Sequence, residues 1–375
     1  MGTDQSITLD IPPLYCPIPS AIHPNHAELR RGTMRWLDRY GFCSDATVEA
    51  RVRAINGAEF VARLTPGGDL ERMQIFSDWA HLSLLFDDLY DSLPRPSAGA
   101  ALARFAKTAV KVMRTFEAPD ANLLDPHDPF TAPLRDLAGR THRLASPVQM
   151  RRMIEAQRIW LSCVCWEIAH QTEGGSPPDL NDYTTLRMGT VGAVASSSWI
   201  EILNGSDDIP CHEFDSYRTR AIAEIAGTIV GMDQDLYSWG KDLWHRQHDG
   251  TVAVNFVSVI AHDRACSDRE AMIHLVRMRD RLMSLFLELR DLALASAGPE
   301  LTRYLTDLGH YIRGTLDWGL GAERYRTPDG ASPHSVRISH TWSSSPSDAS
   351  PDPIPGIPSI AWWWRTRDTP TTPSP

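Results

Sequence analysis

Three carboxylates fall within five residues in Leu84-Leu85-Phe86-Asp87-Asp88-Leu89-Tyr90-Asp91. They close an apolar run, Met73 to Phe86, that reads as a helix. Asp87 and Asp91 are four apart and so share one helical face. Back along that face lie Ser83, Ala80 and Phe76, and the two small residues leave room beside the helix. Carboxylates at a helix C-terminus oppose the macrodipole and repel one another, so the cluster calls for a cation. Hard oxygen donors of this kind suit Mg²⁺, which keeps several waters and is commonly held together with substrate phosphates.

A second set of oxygen donors lies in Met232-Asp233-Gln234-Asp235-Leu236-Tyr237-Ser238-Trp239-Gly240-Lys241-Asp242. Gln234, Ser238 and Asp242 are spaced i, i+4, i+8 and stack on one face. Gly227 and Gly231 continue that face; a helix-interior glycine costs about 1 kcal/mol against alanine, so two of them suggest a close approach by a helix or a ligand. Beside the aspartate cluster, this face reads as the other wall of a cavity with metals at its rim. Two cationic positions complete the set. Arg187 precedes the interruption Gly189-Thr190-Val191-Gly192, where a broken helix exposes backbone groups able to meet an anion. Arg324-Tyr325 ends the last helical stretch, after Trp318.

The elements that must position these residues are helices. Residues 10–25 carry five prolines and read as an extended arm. Helical periodicity then covers 26–40, 44–64, 70–91, 98–116, 147–172, 181–203 with its interruption, 212–245, 251–262, 267–295 and 299–325. No convincing period-2 strand and no fixed-length repeat appears. The expectation is an all-α single large helical bundle over residues 1–326. Past Arg326, Pro, Ser, Thr, Asp and Gly dominate, which predicts a disordered tail over 327–375. The Trp362-Trp363-Trp364 tract inside it is read as a functionless extension rather than an anchor.

Composition closes off other classes. The 375 residues carry a formal net charge of -10, against a nucleic-acid surface, and 42% hydrophobic residues, enough for a sizeable core. No apolar run is long enough to span a membrane and the first ten residues do not read as a signal peptide, so no stable membrane insertion is expected. Six scattered cysteines without a C-x-x-C pair fit a reduced, cytoplasmic protein.

Taken in order, the four segments resemble the class I terpene cyclases of bacteria. Asp-Asp-Leu-Tyr-Asp at 87–91 is similar to that family's aspartate-rich motif, and 234–242 to its second metal motif, usually Asn-Asp-x-x-Ser-x-x-x-Glu. Arg187 falls at the family's diphosphate-sensing position, Arg324-Tyr325 matches its C-terminal Arg-Tyr pair, and Val254-Asn255-Phe256-Val257 is similar to the segment after its second motif. The resemblance spans about residues 10–326. It implies a helical enzyme binding three Mg²⁺ ions and a linear prenyl diphosphate, farnesyl diphosphate before geranylgeranyl diphosphate. Asp87, Asp88, Asp91, Gln234, Ser238 and Asp242 would hold metal. Arg187, Lys241, Arg324 and Tyr325 would bind diphosphate, and Val191, with Thr190 beside it, would mark the helix break. Asp87, Arg187, Arg324 and Tyr325 would be the catalytic group. Phe76, Trp79 and Trp318 are candidates for the apolar aromatic lining that keeps water from an allyl cation. A homodimer is an open alternative to a monomer. Two positions depart from the family pattern: Gln234 replaces Asn or Asp, and Asp242 replaces Glu.

Three rivals are weaker. A chain-elongating prenyltransferase would need a second aspartate-rich motif, which 234–242 is not. His262-Asp263 and His245-x-x-His248 hint at a metal phosphohydrolase but lack its further ligands. A bundle that binds prenyl diphosphates without turnover is the non-enzyme reading.

Overall fold

A computed structural model describes residues 6–44, 46–91, 98–173, 177–248, 250, 254–329 and 334–368, with the side chains of 47, 51, 86–91, 98–101 and 171–173 outside the description. The chain forms two compact units, one of Ala21–Ser176 and Leu186–Ile209, the other of Met1–Ser20, Pro177–Thr185 and Pro210–Pro375. Among the described residues no helix is long and apolar enough to cross a membrane.

The first unit holds α1 (His26–Arg39), α2 (Ala46–Ile55), α3 (Gly57–Leu64), α4 (Leu70–Asp91), α5 (Ala98–Glu117), α6 (Thr131–Leu144) and α7 (Pro147–Glu173). After α8 (Leu180–Thr190), which starts in the range of the second unit, come α9 (Ala193–Ser197) and α10 (Ile200–Leu203). α4 is its axis. Met73, Ile75, Phe76, Trp79, Ala80, Leu82 and Leu85 are all buried, as are the polar Ser77, Asp78 and His81, so the helix is covered on every side over residues 75–82. Its buried carboxylate, Asp78, is satisfied by Thr33, Gln74 and Arg140. The predicted single helix over 44–64 is two. Asn56 takes a left-handed φ of 49°, a conformation asparagine tolerates better than most residues, and the chain turns there between α2 and α3.

The second unit carries β1 (Ile7–Asp10), β2 (Leu14–Tyr15), α11 (Cys211–Phe214), α12 (Tyr217–His248), α13 (Phe256–Arg264), α14 (Asp268–Leu294) and α15 (Pro299–Gly321). A 3₁₀ turn at Glu323–Tyr325, β3 (Val336–Ser339), β4 (Trp342–Ser343), a 3₁₀ turn at Pro358–Ile360 and α16 (Trp362–Arg365) follow. α12 packs against both α14 and α15. α14 opens on a reciprocal capping box between Ser267 and Glu270, so its start is specified locally. The strands correct the expectation of none. β1 pairs in parallel with β3 and β2 with β4. Each strand has two to four residues and its partner lies more than 300 positions away, so no hairpin or alternation signal marks them.

The tail also differs from the prediction of disorder, over 334–368. Ile354, Ile357, Ile360 and Trp363 recur every three residues and are all buried, with Trp364 beside them. α16 lies on α12, and the Trp363 indole donates to Glu224 Oε2 at 2.9 Å. Arg218 of α12 donates to the Thr366 and Arg367 carbonyls. Ser347 donates to Asp280, and Arg281 pairs with Asp348 at 2.6 Å. Disorder follows from too little apolar surface; here a few large side chains at a regular spacing supply it.

Candidate active site

α12 sorts its polar residues sharply. Across 225–240 every residue is buried except Gln234 and Ser238, which are half-buried, and half-buried Asp242 follows one turn later. The two other acids of the motif serve the fold. Asp233 is fully buried against Arg279 of α14, whose guanidinium also reaches the Tyr15 carbonyl in the N-terminal arm. Burial disfavours the Arg279 charge, but Asp233 and its neighbours outweigh it, so the guanidinium is held above its ordinary range. Asp235 accepts from the Tyr183 hydroxyl at 2.9 Å and from the Phe256 amide at 2.8 Å. The oxygen donors left on the open face are the three the spacing selected.

Asn255 has a role that sequence reading did not assign. As N-cap of α13 it accepts from Val257 N with Oδ1. Its Nδ2 donates to the Asp235 carbonyl at 3.0 Å and to Asp242 Oδ2 at 2.9 Å. The start of one helix thus fixes a carboxylate near the end of another. Lys241 stands half-buried next to that carboxylate in sequence.

Arg324 and Tyr325 sit against the same helix. Arg324 is buried, and its Nη1 donates to the Tyr325 hydroxyl at 3.3 Å. The Tyr325 ring lies 4.8 Å from Tyr237, the residue before Ser238, and 5.9 Å from Trp318. Burial pushes the Tyr237 phenol well above its ordinary 10, with Tyr325 adding to the shift, so Tyr237 stays neutral. Ring contacts therefore join the second motif, the Arg-Tyr pair and Trp318 in the second unit.

In the first unit, α8 ends where the sequence places a break. Val191 N makes the last bond to the Arg187 carbonyl at 3.0 Å, Gly192 turns with φ 70°, and α9 begins. Arg187 is half-buried, and its Nη1 lies 3.5 Å from Thr190 Oγ1 across that turn. A Cβ on Gly189 would overlap the Cys163 side chain of α7, so the last turn of α8 lies directly on that helix. Phe76 and Trp79 join an aromatic cluster: Phe76 stacks on Trp199 at 5.1 Å, and Trp79 meets Trp160 at 5.8 Å. A pocket of about 110 Å³ opens beside it, lined by Trp79, Ser83, Phe105, Gln157, Trp160 and Leu161 among others. Trp199 and Gln157 were missed, because neither lies in a motif; Trp199 is eight residues past the break and reaches α4 only through the fold.

The side chains of Asp87, Asp88 and Asp91 lie outside the described residues. Among the described residues no three His, Cys, Asp or Glu side chains come together as a metal site. His248 stacks on Trp244 and its Nδ1 donates to the Trp244 carbonyl at 2.8 Å, so among the described residues the hydrolase reading finds no ligand set. On α12, the amide, hydroxyl and carboxylate oxygens of Gln234, Ser238 and Asp242 on one open face are the hard donor type that fits a divalent cation.

The profile of the terpene synthase family 2, C-terminal metal binding, matches residues 78–284, from within α4 to within α14. The chain belongs to the terpene synthase family. Terpene synthases similar to it include the phomopsene synthase of Allokutzneria albata, 38% identical over 363 residues, covering 97% of this chain and 99% of that one. The (+)-(1(10)E,4E,6S,7R)-germacradien-6-ol synthase of Streptomyces pratensis is 34% identical, covering 96% and 98%. The SVS_A2 protein from ancestral sequence reconstruction is 36% identical with a TM-score of 0.80, covering 95% and 99%. The match to α-eudesmol synthase, 20% identical with a TM-score of 0.69 over 81% and 97%, shows the shared fold. This chain is a bacterial-type class I terpene synthase, an all-α lyase acting on a prenyl diphosphate with a metal-binding domain.

Proposed function

We propose that this terpene synthase uses Mg²⁺, three ions by the family's pattern, to ionise a linear prenyl diphosphate and cyclise the resulting cation with release of diphosphate. The observation that carries the reading is the α12 face. Gln234 and Ser238 are half-buried in an otherwise buried stretch, 225–240, and half-buried Asp242 follows on the same face; the helix also contacts the Arg324–Tyr325 pair through Tyr237. Those three residues, with Asp87, Asp88 and Asp91, would hold the metal. When bound, the metal supplies positive charge to the departing diphosphate. Arg187, Lys241, Arg324 and Tyr325 bind and orient the diphosphate by charge-assisted hydrogen bonds. Phe76, Trp79, Trp160 and Trp318 exclude water and offer ring faces to positive charge.

Geranylgeranyl diphosphate replaces farnesyl diphosphate as the favoured substrate. A relative named diterpene cyclase, from a Streptomyces species, is 31% identical across 98% of this chain. The relatives named as farnesyl diphosphate cyclising, the (+)-T-muurolol and 4-epi-cubebol synthases, are 26% identical. Incubation with Mg²⁺ and geranyl, farnesyl or geranylgeranyl diphosphate, followed by gas chromatography of an extract, tests both parts. A cyclic C20 hydrocarbon or alcohol is expected; a C15 product alone reverses the chain length, and no product from any of the three removes the reading. Asp87→Ala is expected to abolish turnover with helical content unchanged by circular dichroism. Full activity of that variant takes the aspartate motif out of the mechanism.

A further inference from the structure

The pocket beside the aromatic cluster contains one polar group that neither the fold nor the proposed mechanism uses. Gln157 of α7 lines it and is only 1% exposed. Its Nε2 lies 3.3 Å from the Ala195 carbonyl on α9. A carbonyl only accepts, so the amide nitrogen must face Ala195, and the orientation of the side chain follows from that contact. Oε1 is then left buried with no protein partner among the described residues. An unpaired buried acceptor costs about 1–3 kcal/mol, so it is kept where something uses it. Other polar residues lining the pocket do not compete. The Ser83 and Thr131 hydroxyls donate to the Ala80 and Asp125 carbonyls, and Thr108 and Asp128 are exposed.

We propose that Gln157 is a specificity-determining residue whose Oε1 dipole faces the positive charge on the substrate's carbon skeleton after diphosphate has left. This rests on the prenyl diphosphate reading above. The aromatic faces of Trp79 and Trp160 stabilise cations over a broad area. A single carbonyl oxygen among them acts at one point, at a buried position where a fixed dipole is worth more than in water. It therefore biases which carbon carries the charge when the last proton is lost or water is captured. α7, through Gln157, and α9, through Ala195, set where that oxygen stands.

The test uses two unreactive ligands and calorimetric titration in Mg²⁺. One is a prenyl thiolodiphosphate, uncharged in its carbon chain. The other is an aza analogue with a tertiary ammonium in the chain, added with inorganic diphosphate. Gln157→Met keeps length and apolar contact but removes the carbonyl. It is expected to weaken the ammonium ligand by about tenfold or more and to leave the thiolodiphosphate within about twofold. In turnover its products shift toward less cyclised, earlier-quenched skeletons. Equal loss for both ligands would show a packing role through Ala195 and overturn the proposal, as would no loss. Gln157→Glu, which keeps an oxygen and adds charge, is expected to bind the ammonium at least as tightly as the wild type; weaker binding counts against the proposal even where Gln157→Met does not fold. If the wild-type chain binds neither ligand, the prenyl diphosphate reading itself fails, and the Gln157 role with it.

Discussion

At the scale of single residues, the second metal motif divides its labour between ligands and struts. Asp233 and Asp235 carry carboxylates in the same motif, yet they are buried and committed to Arg279, Tyr183 and the α13 N-terminus. Asp242 is one methylene shorter than the glutamate usual in the family, and Asn255 Nδ2 anchors it. Gln234, two turns earlier on the same face, is one methylene longer than the usual asparagine. If the two share an ion, their lengths compensate, since Mg²⁺ tolerates little departure from octahedral geometry. Gln234→Asn and Asp242→Glu are each expected to raise the Mg²⁺ requirement, and the double variant to recover much of the loss, with an interaction of about 0.5–3 kcal/mol in the cycle. Additive effects would show separate sites. Asn255→Asp makes a sharper case. It keeps an acceptor for the α13 cap but turns the donor facing Asp242 into a like charge. The expected result is a higher Mg²⁺ concentration at half-maximal rate, together with a lower thermal midpoint because the buried Asp235 carbonyl loses its donor as well; an unaltered Mg²⁺ titration would mean that Asn255 does not position the carboxylate.

At the scale of elements, the break between α8 and α9 shows what a sequence can and cannot say. Glycines at 189 and 192 mark it, and the structure gives them separate jobs. Gly192 takes the left-handed φ, while Gly189 has no room for a side chain against Cys163. Gly189→Ala is expected to cost about 1–3 kcal/mol by overpacking, read from urea unfolding, and Cys163→Gly to restore most of it. A neutral Gly189→Ala would show that α7 and α8 can separate there. Long helices were legible because their periodicity is local, and so was the stacking of Gln234, Ser238 and Asp242. Trp199 and Gln157 were not, because their meaning depends on α9 folding back onto α7 and on the start of α10 meeting α4. The division of 44–64 at Asn56 was hidden because apolar spacing continues across a single left-handed residue.

At the scale of the whole molecule, the two chain ends are tied together in the second unit, and composition alone conceals it. β1 and β2 of the N-terminal arm pair with β3 and β4, while the arm's Tyr15 carbonyl caps the buried Arg279–Asp233 pair. A Pro- and Ser-rich segment is then held on α12 and α14 by Trp363, Asp348 and the Thr366 carbonyl. Ending the chain at Arg326 should therefore lower the unfolding midpoint, and Trp363→Ala alone, with its fully buried ring, should cost about 3–5 kcal/mol. The Trp363 contact also carries a pH signature. Burial holds the Glu224 carboxyl above its ordinary 4.5, and the Trp363 indole and Arg220 offset this only in part. A carboxyl whose folded pKa is raised binds its proton more tightly folded than unfolded. Its stabilising effect is complete below 4.5 and is lost as pH rises through the folded value. Glu224→Gln keeps an acceptor for the indole N–H and has nothing to titrate. Measured by urea unfolding from about pH 4 to about pH 8, the wild type should lose stability relative to Glu224→Gln as pH rises from 4.5. In the Trp363→Ala background the carboxyl loses both its donor and the ring that buries it, so the same comparison should flatten. Parallel curves in both backgrounds would mean that the tail does not bury Glu224, and that Trp363 holds α12 by packing alone.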